Sequence, residues 1–167
     1  SQKPKSVIDE ISRFYETEFS NVGRSVHTLA VKATNRFEET RDIVKSYINA
    51  KHREEIIFTK GATEAINLVA HSFGEKFIQS GDEIILTELE HHSNYVPWHY
   101  LREKKGAVIK FASVDANGEI NIDEFKKLIT NKTKIIAFTH ISNVTGTIMP
   151  VKKITDLAKS KNIPVLI

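Results

Sequence analysis

The chain has 167 residues, 40% hydrophobic and 27% charged, a balance ordinary for one soluble globular domain. It contains no cysteine, which excludes a disulfide framework, a thiolate zinc site and a cysteine nucleophile within these residues, and no apolar run reaches the roughly 18 residues that suggest a membrane span. The net charge of +3 is scattered: Lys104-Lys105, Lys126-Lys127 and Lys152-Lys153 are separated by apolar runs and form no basic stripe with aromatics, which argues against a nucleic-acid partner.

In chain order, no apolar h-region follows Ser1-Gln2-Lys3-Pro4-Lys5, so no secretory signal is visible and a cytoplasmic location is expected. Val7, Ile8, Ile11 and Phe14 recur at helical spacing and predict a helix over 6–18, with Ser6 as its cap. An irregular stretch, 19–32, follows, and a second helix is predicted over 34–50 from Phe37, Val44, Tyr47 and Ile48. From Glu54 onward the pattern alternates. Strands are predicted at 56–59, 83–87, 107–111, 134–139 and 164–167, separated by helices at 63–77, 95–105, 125–129 and 151–161. Asn117-Gly118 marks a turn, and Asn121 with Glu124 three residues on has the pattern of a capping box.

Nearly continuous apolar strands between amphipathic helices predict a three-layer α/β fold with a mostly parallel sheet covered on both faces. Such sheets place ligands beyond the carboxyl ends of their strands. Val165-Leu166-Ile167 reads as a central strand with no loop after it, so the sequence is expected to be the N-terminal portion of a longer protein.

Three strand ends carry polar groups suited to one ligand. At Gly61-Ala62-Thr63 a strand is expected to give way to a helix, whose first amides have no intrahelical partner and, with the Thr63 hydroxyl, can hold a phosphate. The plain alternative is a helix start in which Thr63 serves its own backbone. His91 and His92 follow the next strand. As zinc ligands they lack companions at metal spacing, with only His99 and His140 nearby, so no metal site is assigned. A single imidazole stacked on a flat cofactor ring suits the segment better. Asn143, after the strand near 135–140, can donate to a phenolate or carboxylate oxygen or serve merely as a turn residue. Phosphate, ring and oxygen together suggest pyridoxal 5'-phosphate (PLP).

The segments Lys60-Gly61-Ala62-Thr63-Glu64-Ala65, Glu90-His91-His92-Ser93-Asn94-Tyr95-Val96-Pro97-Trp98 and His140-Ile141-Ser142-Asn143-Val144-Thr145-Gly146 resemble the Suf-type cysteine desulfurases. These lie within the class V aminotransferase family of fold-type I PLP enzymes. Asn21-Val22, Arg24 and His27-Thr28-Leu29 resemble the family's N-terminal segment, so the resemblance runs from about Phe19 to Ile167. It implies an incomplete large domain over 34–167 and an N-terminal helical arm or small-domain segment over 1–33. It implies that the Ala62 amide and Thr63 bind the cofactor phosphate, that His91 stacks on the pyridine ring and moves protons, and that Asn143 meets the phenolic oxygen and the substrate carboxylate. The implied reaction converts L-cysteine to L-alanine and leaves sulfur as an enzyme persulfide, which a sulfur-acceptor protein takes on for iron-sulfur cluster assembly. The implied assembly is a homodimer.

Some positions depart from that family. Gly23 stands where members usually carry histidine, and Ser25 replaces a common glycine. The family's aspartate partner of the pyridine nitrogen, its Schiff-base lysine, its nucleophilic cysteine and its carboxylate-binding arginines all fall beyond Ile167, so the 167 residues alone are expected to be inactive. The same features also fit a selenocysteine lyase acting on L-selenocysteine, another class V enzyme, or a degenerate module that binds a phosphate-bearing ligand or a partner.

Overall fold

The computed structural model describes residues 2–23 and 26–167; Arg24 and Ser25 lie outside the described residues. The chain divides into two compact units, Ser1–Phe58 and Thr59–Ile167.

In the first unit, α1 (Lys5–Thr17) starts behind Pro4 with no side-chain cap, so the expected capping by Ser6 is corrected: Ser6 lies within the first turn. Pro4 suits a helix start because its missing N–H would have had no intrahelical partner. The second helix, α2 (Thr28–Tyr47), starts six residues before the expected Thr34. His27 explains the difference, because its Nδ1 accepts from the Ala30 amide at 3.4 Å and caps the helix. The helix therefore runs without a break through position 34. Glu18 pairs with Arg36 at 2.5 Å and Arg13 at 3.3 Å. Beyond α2 the Arg41 guanidinium donates to the carbonyls of Ile56 and Arg53 at 3.2 and 3.0 Å. A 3-10 turn, Arg53–Glu55, precedes 56–59, where the expected strand is absent. A strand is defined by its hydrogen-bonded neighbour; among the described residues Ile57 and Phe58 have no ladder partner, and both are exposed.

In the second unit, α3 (Ala62–Val69) passes through a π-helical turn at Ala70–Gly74 into α4 (Glu75–Phe77), so the expected single helix carries one extra residue in its middle. Then come β1 (Glu83–Thr87), α5 (Val96–Lys105), β2 (Val108–Ala112), α6 (Ile122–Leu128), β3 (Thr133–Ala137), α7 (Val151–Ser160) and β4 (Val165–Leu166). Gly106, left-handed at φ +72°, ends α5, a conformation that costs a side-chain-bearing residue far more. Asn121 caps α6 by accepting from the amides of Asp123 and Glu124, but Glu124 turns to Lys127, so only half of the expected capping box forms.

The four strands form one parallel sheet in the order β2-β1-β3-β4. The period of two sorts their side chains between two cores. Ile84, Leu86, Ile135 and Ala137 face Ala70, Trp98 and Leu101, while Ile85, Ile136 and Phe138 face Phe125, Ile154 and Ala158. Helices α3 and α5 thus cover one face and α6 and α7 the other, the predicted three-layer arrangement. Each fully buried Leu or Ile contributes about 1.5–3 kcal/mol of apolar burial, which explains why these strands read as unbroken apolar runs.

Candidate functional site

Strand order decides where a ligand fits. From β1 the chain goes to β2 on one side, and β3 is then laid on the other, so the carboxyl ends of β1 and β3 flank a crevice at the reversal of strand order. A cavity of about 560 Å³ opens there, lined by Ala62, Thr63, Glu90, His91, Asn143 and Leu166 among others. The four residues singled out from the sequence, Ala62, Thr63, His91 and Asn143, all reach this one cavity, although 81 positions separate the first from the last.

Each wall has a local cause. Gly61 carries no side chain to cap α3, and the Thr63 hydroxyl has no hydrogen-bond partner among the described residues, so it does not serve its own helix. The first amides of α3 and this hydroxyl are left for an anion. Glu64 folds back to accept from the Lys60 amide at 2.6 Å, which pins the turn from outside the cavity.

The second wall is the 3-10 turn His92–Asn94. His91 caps it: Nδ1 accepts from the Ser93 amide at 3.1 Å and lies 2.9 Å from the Ser93 hydroxyl. The rings of His91 and His92 are inclined by 63°, and only His91 lines the cavity. Behind the turn lies a chain of side-chain bonds that the sequence reading did not assign. Trp98 Nε1 donates to Asn94 Oδ1 at 2.9 Å, Asn94 Nδ2 donates to Glu90 Oε2 at 2.7 Å, and the Thr139 amide donates to Glu90 Oε1 at 3.0 Å. The i, i+4, i+8 spacing of Glu90, Asn94 and Trp98 was the available signal.

The third wall is the loop after β3. Ser142 Oγ accepts from the amides of Val144 and Thr145, both at 3.2 Å, and Met149 returns to the His140 carbonyl at 2.9 Å. This holds a tight loop with the Asn143 amide group exposed on the cavity side and without a hydrogen-bond partner among the described residues. His140 also lines the cavity. Gly23 lies in the first unit, where its amide donates to the Thr34 hydroxyl at 3.1 Å.

The sequence profile of the family described as Aminotransferase class-V matches residues 1–167. The chain belongs to the class V aminotransferase family. This is a family of PLP enzymes, and the donor set fits that cofactor: helix amides and a free hydroxyl for a phosphate, an imidazole for a ring, and an uncharged amide for an oxygen. Among class V relatives, the cysteine desulfurase of Synechococcus elongatus is 45% identical over the whole of this chain and 27% of its own length. The solved apo structure of the cysteine desulfurase from Thermococcus onnurineus superposes with a TM-score of 0.92 at 37% identity, over 99% of this chain and 40% of that one. A structure described as SspA in complex with cysteine superposes with a TM-score of 0.89 at 26% identity, over 99% of this chain and 47% of that one. The chain spans 24% to 35% of the length of curated relatives that it matches.

Proposed function

We propose that this chain is the N-terminal, cofactor-gripping part of a PLP-dependent cysteine desulfurase that converts L-cysteine to L-alanine and passes the sulfur on as an enzyme persulfide. The observation that carries the reading is the convergence of Ala62, Thr63, His91 and Asn143 on one cavity at the strand-order reversal of a class V fold. When bound, PLP supplies an electron sink for bond breaking at the substrate.

The protein residues bind and orient. The Ala62 amide and the Thr63 hydroxyl would hold the PLP phosphate at the positive end of α3. The His91 ring, on the cavity wall, would be the group to stack on the pyridine ring when PLP is bound. Its Nδ1 is occupied by the Ser93 backbone N–H, an obligatory donor, so Nε2 is the atom free to carry and move a proton. Asn143 donates from its amide to the phenolic oxygen or the substrate carboxylate without adding charge. Relatives named cysteine desulfurases support the substrate. Family membership supports a homodimer, a sulfur-acceptor protein, service to iron-sulfur cluster assembly and a cytoplasmic location.

The test is His91→Ala in the full-length enzyme, assayed for alanine formation from L-cysteine and for thermal unfolding. Loss of a positioned acid-base group is expected to cost about 10²- to 10⁴-fold in turnover, while the melting temperature moves little because His91 is exposed. Unchanged turnover removes His91 from the catalytic set. A parent enzyme faster on L-selenocysteine than on L-cysteine would identify a lyase of that substrate instead.

A further inference from the structure

Glu90 precedes His91, and its carboxylate joins the end of β1 and the turn after it to a third segment, at Thr139, that lies 49 positions away in the chain. Oε1 accepts from the Thr139 amide at the exit of β3 and from the hydroxyl of Thr87 at the end of β1; Oε2 accepts from Asn94 Nδ2 at 2.7 Å. Asn94 and Trp98 behind it are buried, at 7% and 0% exposure.

The polarity of this chain is forced from both ends. An indole N–H can only donate, so Trp98 requires Asn94 to present Oδ1, which turns Nδ2 toward Glu90. A backbone N–H can also only donate, so the Thr139 amide requires an acceptor on the other side. Both oxygens at position 90 must therefore accept. A carboxylate meets this condition and a carboxamide of the same shape does not, whichever way it is turned.

Building on the PLP reading above, we propose that Glu90 is a positioning residue that sets the spacing between the His91 wall and the Thr139–Asn143 wall. It ties the ends of β1 and β3 together directly beneath the cavity and fixes the start of the turn that carries His91. The ring-bearing ligand is then gripped between an imidazole and an amide whose separation is decided by one carboxylate.

The experiment uses the full-length protein with PLP, in the parent and in Glu90→Gln, Asn94→Asp and the Glu90→Gln/Asn94→Asp double variant. PLP affinity is measured by equilibrium dialysis, ligand orientation by the visible circular dichroism of bound PLP, and fold by thermal unfolding. Glu90→Gln is expected to weaken PLP binding about tenfold or more and to change the dichroism of what remains bound, because a buried donor then faces a donor. In the double variant the carboxylate introduced at position 94 accepts both from Trp98 and from the carboxamide introduced at position 90. That exchange restores the polarity, and both affinity and dichroism return toward the parent.

A purely structural role predicts a lower melting temperature with unchanged dichroism of the bound fraction, and that result overturns the proposal. So does a double variant no better than the weaker single variant, including the case in which Glu90→Gln fails to fold and the double variant does not recover. If the parent itself does not take up PLP, the reading of the whole site fails. If the parent binds and Glu90→Gln binds identically, only the role of Glu90 fails.

Discussion

The Ser93 backbone amide donates to His91 Nδ1 at 3.1 Å, with the Ser93 hydroxyl 2.9 Å from the same atom. Because the backbone N–H cannot accept, the neutral imidazole in this arrangement carries its proton on Nε2. Replacing Ser93 by Ala removes the hydroxyl and leaves the amide, so the loss is about 0.5–1.5 kcal/mol of tautomer and orientation control. The Nε2-protonated fraction, read from the ¹⁵N shifts of His91, is expected to fall, with turnover down roughly two- to tenfold. A tautomer ratio identical to the parent's would show that the hydroxyl contributes nothing.

Thr63 offers an anion a hydroxyl that nothing else in the described structure uses. Thr63→Ala is expected to lose one charge-assisted bond to the PLP phosphate, about 1.5–3 kcal/mol or roughly ten- to a hundredfold in Kd. Thr63→Ser keeps the hydroxyl and is expected to stay within a few-fold of the parent. Equilibrium dialysis with PLP reads both, and equal affinities for the Ala and Ser variants contradict a phosphate role.

Glu83 opens β1 at the amino end of the strands, opposite the end that bears the cavity. Burial pushes its carboxyl up, but hydrogen bonds from Lys110 at 2.8 Å, Thr130 at 2.6 Å and Thr133 at 3.1 Å outweigh it and hold the group below the ordinary carboxylate value of 4.5. A carboxylate depressed by folding stabilises the native state above its unfolded pKa, and that stability is lost as pH falls through the folded pKa. Glu83→Gln is therefore expected to be less stable than the parent at pH 7, with the difference shrinking below about pH 4.5. Denaturant melts at several pH values measure it; a difference independent of pH refutes the linkage.

Gly74, in the π-helical turn, lies against Leu101: a methyl group added there would sit 2.4 Å from Leu101 Cδ1. Leu101 is fully buried in the same cluster as Trp98. Gly74→Ala is expected to cost about 1–3 kcal/mol by overpacking, partly recovered by Leu101→Val. Urea unfolding of the single and double variants decides it, and a neutral Gly74→Ala would mean that the helix pair can separate.

The sequence by itself determined the layer order and the residues that share one cavity. Unbroken apolar runs such as Ile84-Ile85-Leu86 and Ile135-Ile136-Ala137 require a sheet buried on both sides, and amphipathic spacing in 151–161 requires a helix on its surface; both follow from side-chain period alone. Ala62, Thr63, His91 and Asn143 were legible because each stands at a junction where a local pattern ends and a polar group is left over.

Tertiary structure decided what depends on distant neighbours. The segment 56–59 has the composition of a strand but no paired neighbour, whereas α2 starts at Thr28 because the His27 ring folds back on the Ala30 amide. The extra residue in the π-helical turn belongs to the same class, since Gly74 meets Leu101 from 27 positions away. Above all, Glu90 looked like one letter of a motif. Its bonds to Thr87 and Asn94 are local, but the bond from the Thr139 amide forms only when β1 and β3 lie side by side, because hydrogen-bond polarity between strand ends is a property of the packed sheet and not of either strand alone.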